Sequence, residues 1–203
     1  MADSRPPLIA AVAGSPRRGG NTDQLLEAAV AGALEEGAQV EWVRPSQMNF
    51  VACRHCGGCA QTGVCVISDD MQPVYALIER MDGMLLASPV YFASVTAQAK
   101  ALIDRTQALW VRKYLLHQPI SADGKTRLVL FLSALGGDAR GHIEGTRRVV
   151  KAFADTFDGQ YEELIFPLID QPGEIAEHWT ALPQAHAAGA GLAARTKHLI
   201  ASP

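Results

Sequence analysis

Short, mostly apolar runs alternate along the chain with longer stretches in which apolar residues recur every three or four positions. Five runs read as strands buried on both faces: Leu8–Ala13, Val40–Arg44, Gly83–Ser88, Arg127–Ser133 and Tyr161–Leu168. The stretches between them carry a helical period. Asn21–Gly37 places Leu25, Leu26, Ala29, Val30, Ala33 and Leu34 on one side. Gln72–Met81 is a short second helix. Val95–Leu109 carries Val95, Ala99, Leu102 and Ile103, and Ile143–Phe157 carries Val149, Val150, Phe153 and Phe157. A last helix is predicted from Pro183 to Ile200, with Gly189 and Gly191 as weak points. Strands alternating with helices imply right-handed crossovers and a parallel sheet covered on both faces. Five such units predict an α/β three-layer sandwich with a five-stranded parallel sheet, order 2-1-3-4-5. A barrel would need eight units and about 250 residues.

Composition narrows the class. A chain of 203 residues fits one domain at roughly 150 residues each, with some decoration. It can bury about 70% of its unfolded surface and needs no staple. Apolar residues are 48% and charged residues 19%, too hydrophobic for a disordered chain. The net charge of −3 gives no electrostatic case for nucleic acid. No apolar run approaches the ~20 residues of a membrane span. Leu8–Ser15 has the hydropathy of a leader, but Asp3 precedes it and Pro16, Arg17 and Arg18 follow. It is read as a buried strand, with a cytoplasmic location expected.

The first strand runs into Gly14-Ser15-Pro16-Arg17-Arg18-Gly19-Gly20-Asn21-Thr22 and then a helix. A helix start exposes unpaired N–H groups and partial positive charge, which suits an anion. Ser15, Asn21 and Thr22 add donors, Arg17 or Arg18 a full charge, and glycines such as Gly20 let the backbone close in. No Gly-Lys-Ser/Thr follows and the spacing is not GxGxxG, so a single terminal phosphate fits better than a pyrophosphate. The plainer alternative is a polar turn with Asn21 or Thr22 capping the helix.

All four cysteines lie in one short segment, Cys53, Cys56, Cys59 and Cys65, spaced C-x2-C-x2-C-x5-C. Disulfide frameworks spread their cysteines along short secreted chains, so this is a site. Four thiolates with two-residue gaps can close a cubane [4Fe–4S] cluster, and Gly57, Gly58 and Gly63 let the loop wrap it. Tetrahedral zinc competes, although it more often uses two separated C-x2-C pairs. Free thiols, or a redox pair at Cys56 and Cys59, stay open. His55 reads as a solvated neighbour.

The phrase GSPRRGGNTDQLL resembles the phosphate loop of the NAD(P)H-dependent FMN reductase family. Ser88-Pro89-Val90-Tyr91-Phe92-Ala93-Ser94-Val95 is similar to that family's second loop, and Ile103-Asp104-Arg105-Thr106 to the end of the helix after it. CRHCGGCAQTGVCVISDDM resembles the cysteine loop of its iron–sulfur flavoprotein branch. The resemblance implies a single flavodoxin-like FMN-binding domain over residues 1–203, with NAD(P)H as electron donor. It implies that Pro89, Val90, Tyr91, Phe92 and Ser94 lie beside the flavin ring, with Leu135, Gly136 and Gly137 as the remaining wall. Flavin would carry the chemistry, so no catalytic side chain is expected. The electrons would pass to a small-molecule or protein acceptor, directly or through the cluster, and the chain would be a homodimer or homotetramer. A flavodoxin- or ferredoxin-like electron carrier without an NAD(P)H site is the second reading, and a zinc-stapled binding domain the third.

The other polar residues add little. None of the six histidines has zincin spacing or a G-x-S-x-G elbow beside it. Ser68, Asp69 or Asp70 reads as a cap for the second helix, with Pro73 in its first turn. Trp110, Tyr114, Leu115 and Leu116 are expected to form an apolar patch.

Overall fold

The computed structural model describes residues 5–120, 124–138 and 141–201. Asp3 and residues 121–123 lie outside them. Strands β1 (Leu8–Ala13), β2 (Gln39–Val43), β3 (Gly83–Ala87), β4 (Arg127–Leu135) and β5 (Gly159–Pro167) form one parallel sheet in the order β2-β1-β3-β4-β5. The register runs Val12 to Val43, Ala13 to Ala87, Ala87 to Leu132 and Leu132 to Leu164. Every residue of β1, β3 and β4 is buried, whereas the edge strands β2 and β5 are half open. That is why the inner strands read as continuous apolar runs.

Successive strand residues feed opposite layers. Ala10, Val12, Met84, Leu86, Val129 and Phe131 pack beneath helices α2 (Met71–Arg80), α3 (Ala97–Arg105) and α5 (Glu144–Asp155). Ile9, Ala11, Leu85, Leu130 and Leu132 face α1 (Asn21–Glu35) and, after the short α6 (Glu174–Glu177), the long α7 (Ala181–Ala201). The predicted Val95–Leu109 helix is interrupted. It starts after Thr96, whose side chain accepts from the Ala99 amide, and breaks at Thr106. The Thr106 hydroxyl donates to the Ile103 carbonyl at 2.7 Å, competing with the helical bond that carbonyl would otherwise accept. A single turn, α4 (Gln107–Trp110), and a π turn (Val111–Leu115) follow. Among the described residues no helix is long and apolar enough to cross a membrane.

The two glycines expected to weaken the last helix differ in role. α7 runs unbroken through both. At Gly189 a Cβ would come within 1.9 Å of the Ala29 carbonyl oxygen of α1, so the two backbones meet there. At Gly191 a Cβ would enter open space. Gly189→Ala is therefore expected to destabilise the protein by about 1–3 kcal/mol through overpacking. Gly191→Ala should stabilise it by about 0.5–1 kcal/mol through helix propensity. Urea denaturation checks both signs; equal effects at the two positions would contradict this packing.

Candidate functional site

The carboxyl ends of β1, β3 and β4 are stitched together by three buried hydroxyls. The Gly14 amide donates to the Ala87 carbonyl at 2.7 Å, an approach that leaves no room for a Cβ at Gly14. The Thr96 hydroxyl donates to the Gly14 carbonyl while accepting from the Ala99 amide at 3.2 Å, so one residue caps α3 and ties it to the loop after β1. The Ser88 hydroxyl donates to the Pro89 carbonyl at 2.9 Å and accepts from the Thr96 amide at 3.2 Å. Ser133 donates to the Ser88 carbonyl at 2.8 Å. Ser88, Thr96 and Ser133 are each fully buried, where an unpaired hydroxyl would be costly.

The loop from Gly14 to Gly20 is shaped on this base. The Ser15 hydroxyl accepts from the Arg17 amide at 3.1 Å, and Gly19 takes a left-handed φ of 66°. The Gly19 amide donates to Asp23 at 2.9 Å, and the other oxygen of Asp23 accepts from Arg44 at 2.7 Å, at the end of β2. Asp23 thus braces the loop from inside. Gly20 is the N-cap of α1 with no side-chain cap bond, and Gly20, Asn21 and Thr22 at the helix start border the cleft. One alternative is corrected here: neither Asn21 nor Thr22 caps α1. Asn21 donates one amide N–H to the Gln171 carbonyl at 2.8 Å and accepts from the Gly173 amide at 2.9 Å. It joins the first loop to the one after β5.

These loops enclose a cleft of about 260 Å³. Ser15, Arg17, Gly20, Asn21 and Thr22 line one side, Pro89, Val90 and Tyr91 another, and Leu135 and Gly136 a third. Ile169 and Asp170, after β5, complete it. Gly136 comes close to Asp170: a Cβ there would lie 2.5 Å from its carboxylate oxygen, so a larger residue would have to displace that side chain. Phe92, Ser94 and Gly137 do not line the cleft. Ser94 is spent on a tight hairpin, exchanging backbone bonds of 2.8 and 3.0 Å with Tyr91. Phe92 and Ala93 at its tip both have left-handed φ, 49° and 56°, and the Phe92 ring is wholly exposed. Gly145, in the first turn of α5, admits the Ala93 carbonyl, which a Cβ would meet at 2.2 Å.

A second cavity of about 340 Å³ is lined by all four cysteines together with His55, Arg105 and Trp110. Cys53 and Cys56 are exposed, Cys59 and Cys65 half-buried, and none is in a disulfide. Among the described residues no three metal-ligating side chains converge on a single-ion site. Burial raises the Cys59 thiol, and the neighbouring thiols of Cys65, Cys53 and Cys56 add to this. Burial also pushes Cys65 up, but the Ile67 amide, the Tyr75 hydroxyl and the Arg105 guanidinium outweigh it and leave that thiol below its ordinary value. The acid pair before α2 does more than cap. Asp69 accepts from the Met71 amide at 3.1 Å and is also chelated by Arg105 at 2.6 and 3.0 Å. Asp70 is the N-cap by position but turns back to accept from the Asn49 amide. At the end of α4 and in the π turn after it, Trp110, Tyr114 and Leu115 are exposed, while Leu116 is half-buried.

Sequence reasoning missed Thr96, Asp23, Asp170 and the weight carried by Arg105. Thr96 stands directly before a helical run, a cap signal. Arg105 falls between Leu102 and Leu109 on an apolar stripe, an odd place for a charge. Asp170 opens a Pro-Gly turn after the fifth strand, at the edge where open α/β sheets bind ligands.

Residues 7–160 match the family model described as NADPH-dependent FMN reductase. An iron-sulfur flavoprotein of Methanosarcina thermophila is 36% identical over 114 residues, covering 56% of this chain and 60% of the relative. One from Archaeoglobus fulgidus is 44% identical over 94 residues, covering 46% and 43%. The chain thus spans about half the length of the relatives it matches. Among solved structures, an NAD(P)H:quinone oxidoreductase from Methanothermobacter marburgensis superposes with a TM-score of 0.71 at 18% identity, covering 93% of this chain and 96% of that one. At that identity the likeness shows the fold, a flavodoxin-like sandwich.

Two outcomes are expected from this geometry. Phe92→Asn should raise stability by about 1 kcal/mol in thermal unfolding, since asparagine tolerates the left-handed backbone and the ring packs on nothing. A loss of stability would mean the ring is held. In reduced, metal-free protein at neutral pH, iodoacetamide should label Cys65 ahead of Cys59, because the lower thiol pKa gives more thiolate. Peptide mapping by mass spectrometry decides, and labelling of Cys59 first would contradict the assigned surroundings.

Proposed function

Since the chain belongs to the NADPH-dependent FMN reductase family, we propose that it is an FMN-dependent oxidoreductase that accepts hydride from NAD(P)H. It would deliver the electrons to a second acceptor through a [4Fe–4S] cluster on Cys53, Cys56, Cys59 and Cys65. The observation that carries this reading is the cleft at the carboxyl ends of β1, β3 and β4. It joins an uncapped helix start to an aromatic second loop.

The cleft's donors fit a mononucleotide. The open amides at the start of α1, the hydroxyls of Ser15 and Thr22 and the Arg17 guanidinium suit a phosphate. Asp170 on the opposite wall keeps the anion on the α1 side by repulsion. Pro89, Val90 and Tyr91 supply a stiff, partly apolar wall for a planar ring, and Tyr91 is half exposed. Bound FMN supplies the hydride and electron chemistry, and these residues hold and orient it. Phe92 and Ser94 support the ring only through the hairpin they build, and Gly137 only through its carbonyl, which accepts from the Leu168 amide at 3.2 Å.

The cysteine cavity suits a cluster by its ligand set: four thiols line a single hollow. In a cubane each thiolate ligates a different iron. The cluster, when bound, supplies one-electron transfer. His55 is exposed at the rim. The acceptor is a small molecule or a protein, and the family resemblance supports a homodimer or homotetramer.

An anaerobic absorbance titration tests the reading. FMN should bind with a shifted spectrum, iron and sulfide should be retained on reconstitution, and NADH or NADPH should bleach the flavin rapidly. Flavin that binds but ignores both nucleotides would indicate an electron carrier, and one zinc per chain without iron would indicate a zinc-stapled domain. Thr22→Val should weaken FMN binding about tenfold, since about 1.4 kcal/mol corresponds to a factor of ten. Fluorescence quenching of FMN measures it, and unchanged affinity would remove Thr22 from the phosphate site.

A further inference from the structure

The loop bearing the four cysteines has no regular secondary structure between Val51 and Ile67, yet it closes around one cavity. Its two ends meet at a single side chain. Arg105, in the last turn of α3 and only 1% exposed, donates to the Val51 carbonyl at 2.8 Å, two residues before Cys53. It also donates to the Ile67 carbonyl at 3.4 Å, two residues after Cys65. Asp69 grips the same guanidinium with both oxygens and accepts from the Val51 amide at 3.3 Å. The loop is thus clasped at its base.

The clasp also touches the thiols. An Arg105 nitrogen lies 3.5 Å from Cys65 Sγ, and Arg105 lines the cavity with all four cysteines. Its Nε is shut off from solvent and has no partner within the protein. A buried guanidinium with one donor unspent, beside a hollow walled by thiols, suits a cavity whose contents carry negative charge. Hydrogen bonds to sulfur and local net charge both set the potential of an iron–sulfur centre.

We infer that Arg105 is the positioning residue of the cysteine loop, clasping its two ends and holding a fixed positive charge against Cys65 so that the one-electron-reduced state of a bound cluster is favoured. This rests on the cluster reading above. Uptake of one electron adds one negative charge, and a fixed cation at Cys65 lowers the cost of that charge. Asp69 works the other way. It anchors the arginine but offsets its charge.

The test uses the full chain with FMN, reconstituted anaerobically with ferrous iron and sulfide, and compares Arg105→Gln and Asp69→Asn with the parent. Potentiometric titration with dithionite reads the midpoint of the cluster. Arg105→Gln, which removes the positive charge beside Cys65, should shift the midpoint to more negative values. Asp69→Asn, which leaves the arginine charge less compensated, should shift it to more positive values. Loosening of the loop alone cannot give opposite signs. Shifts of the same sign, or none beyond error, would overturn the charge role. Hydrogen exchange on the metal-free protein reads the clasp separately: amides of the cysteine loop should exchange at least several-fold faster in Arg105→Gln, and unchanged protection overturns it. If the parent protein itself takes up no iron, the cluster reading fails and the charge role falls with it, while the exchange result still decides the clasp.

Discussion

The chain of hydroxyls from Ser133 through Ser88 to Thr96 fixes the carboxyl edge of the sheet. A parallel ladder ends at that edge, and the chain leaves it through loops whose polar backbone groups have lost their strand partners. Here each departure is paired. The amides of Gly14 and Ser88 bond to the Ala87 and Leu132 carbonyls of the neighbouring strands, and the three side chains take up what remains. Hydrogen bonds in a dry setting are directional and costly to leave unmade, so they specify one arrangement of the loops. The position of Tyr91, the open start of α1 and the approach of Gly136 to Asp170 all follow from that edge.

The fold was legible because burial on both faces leaves a direct trace. Leu8–Ala13, Gly83–Ala87 and Arg127–Leu135 are inner strands, and their runs are apolar without alternation. Edge strands were placed less sharply, since Gln39 and Gly159 pair in the ladder without looking like strand residues. The cysteine spacing and the glycine-rich turn were legible because they are local. What was not legible is long-range. Asn21 reaches Gln171, 150 residues away, and Thr96 reaches Gly14, 82 residues away. A side chain such as Asn21, which local rules offer as a helix cap, instead meets partners that no window of sequence contains.

Asp69 illustrates the same limit from the other side. Local rules assign an acid before a helix to capping, and it does accept from the Met71 amide. Its stronger engagement is with Arg105, which holds the carboxyl below the usual carboxylate range, with burial opposing and the Met71 and Val51 amides assisting. The cap was real but incomplete. An arginine on an apolar stripe and an acid pair beside a cysteine loop are each unremarkable, and only the fold shows that they are one device.

Helix α3 gives the two cavities a common frame. Its first cap, Thr96, bonds to Gly14, where the loop that borders the first cleft begins, and its last turn carries Arg105, which bonds to the cysteine loop. Nine helical residues span roughly 13 Å, and a capped helix packed on a sheet resists bending. Ala99 and Leu102, buried in the same core cluster as β1 and β3 side chains, hold its rotation. A loop as long as the cysteine segment would otherwise have no defined distance from the cleft. By anchoring one end of the same helix at each cavity, the fold holds that separation constant, as the proposed passage of electrons between two centres would require.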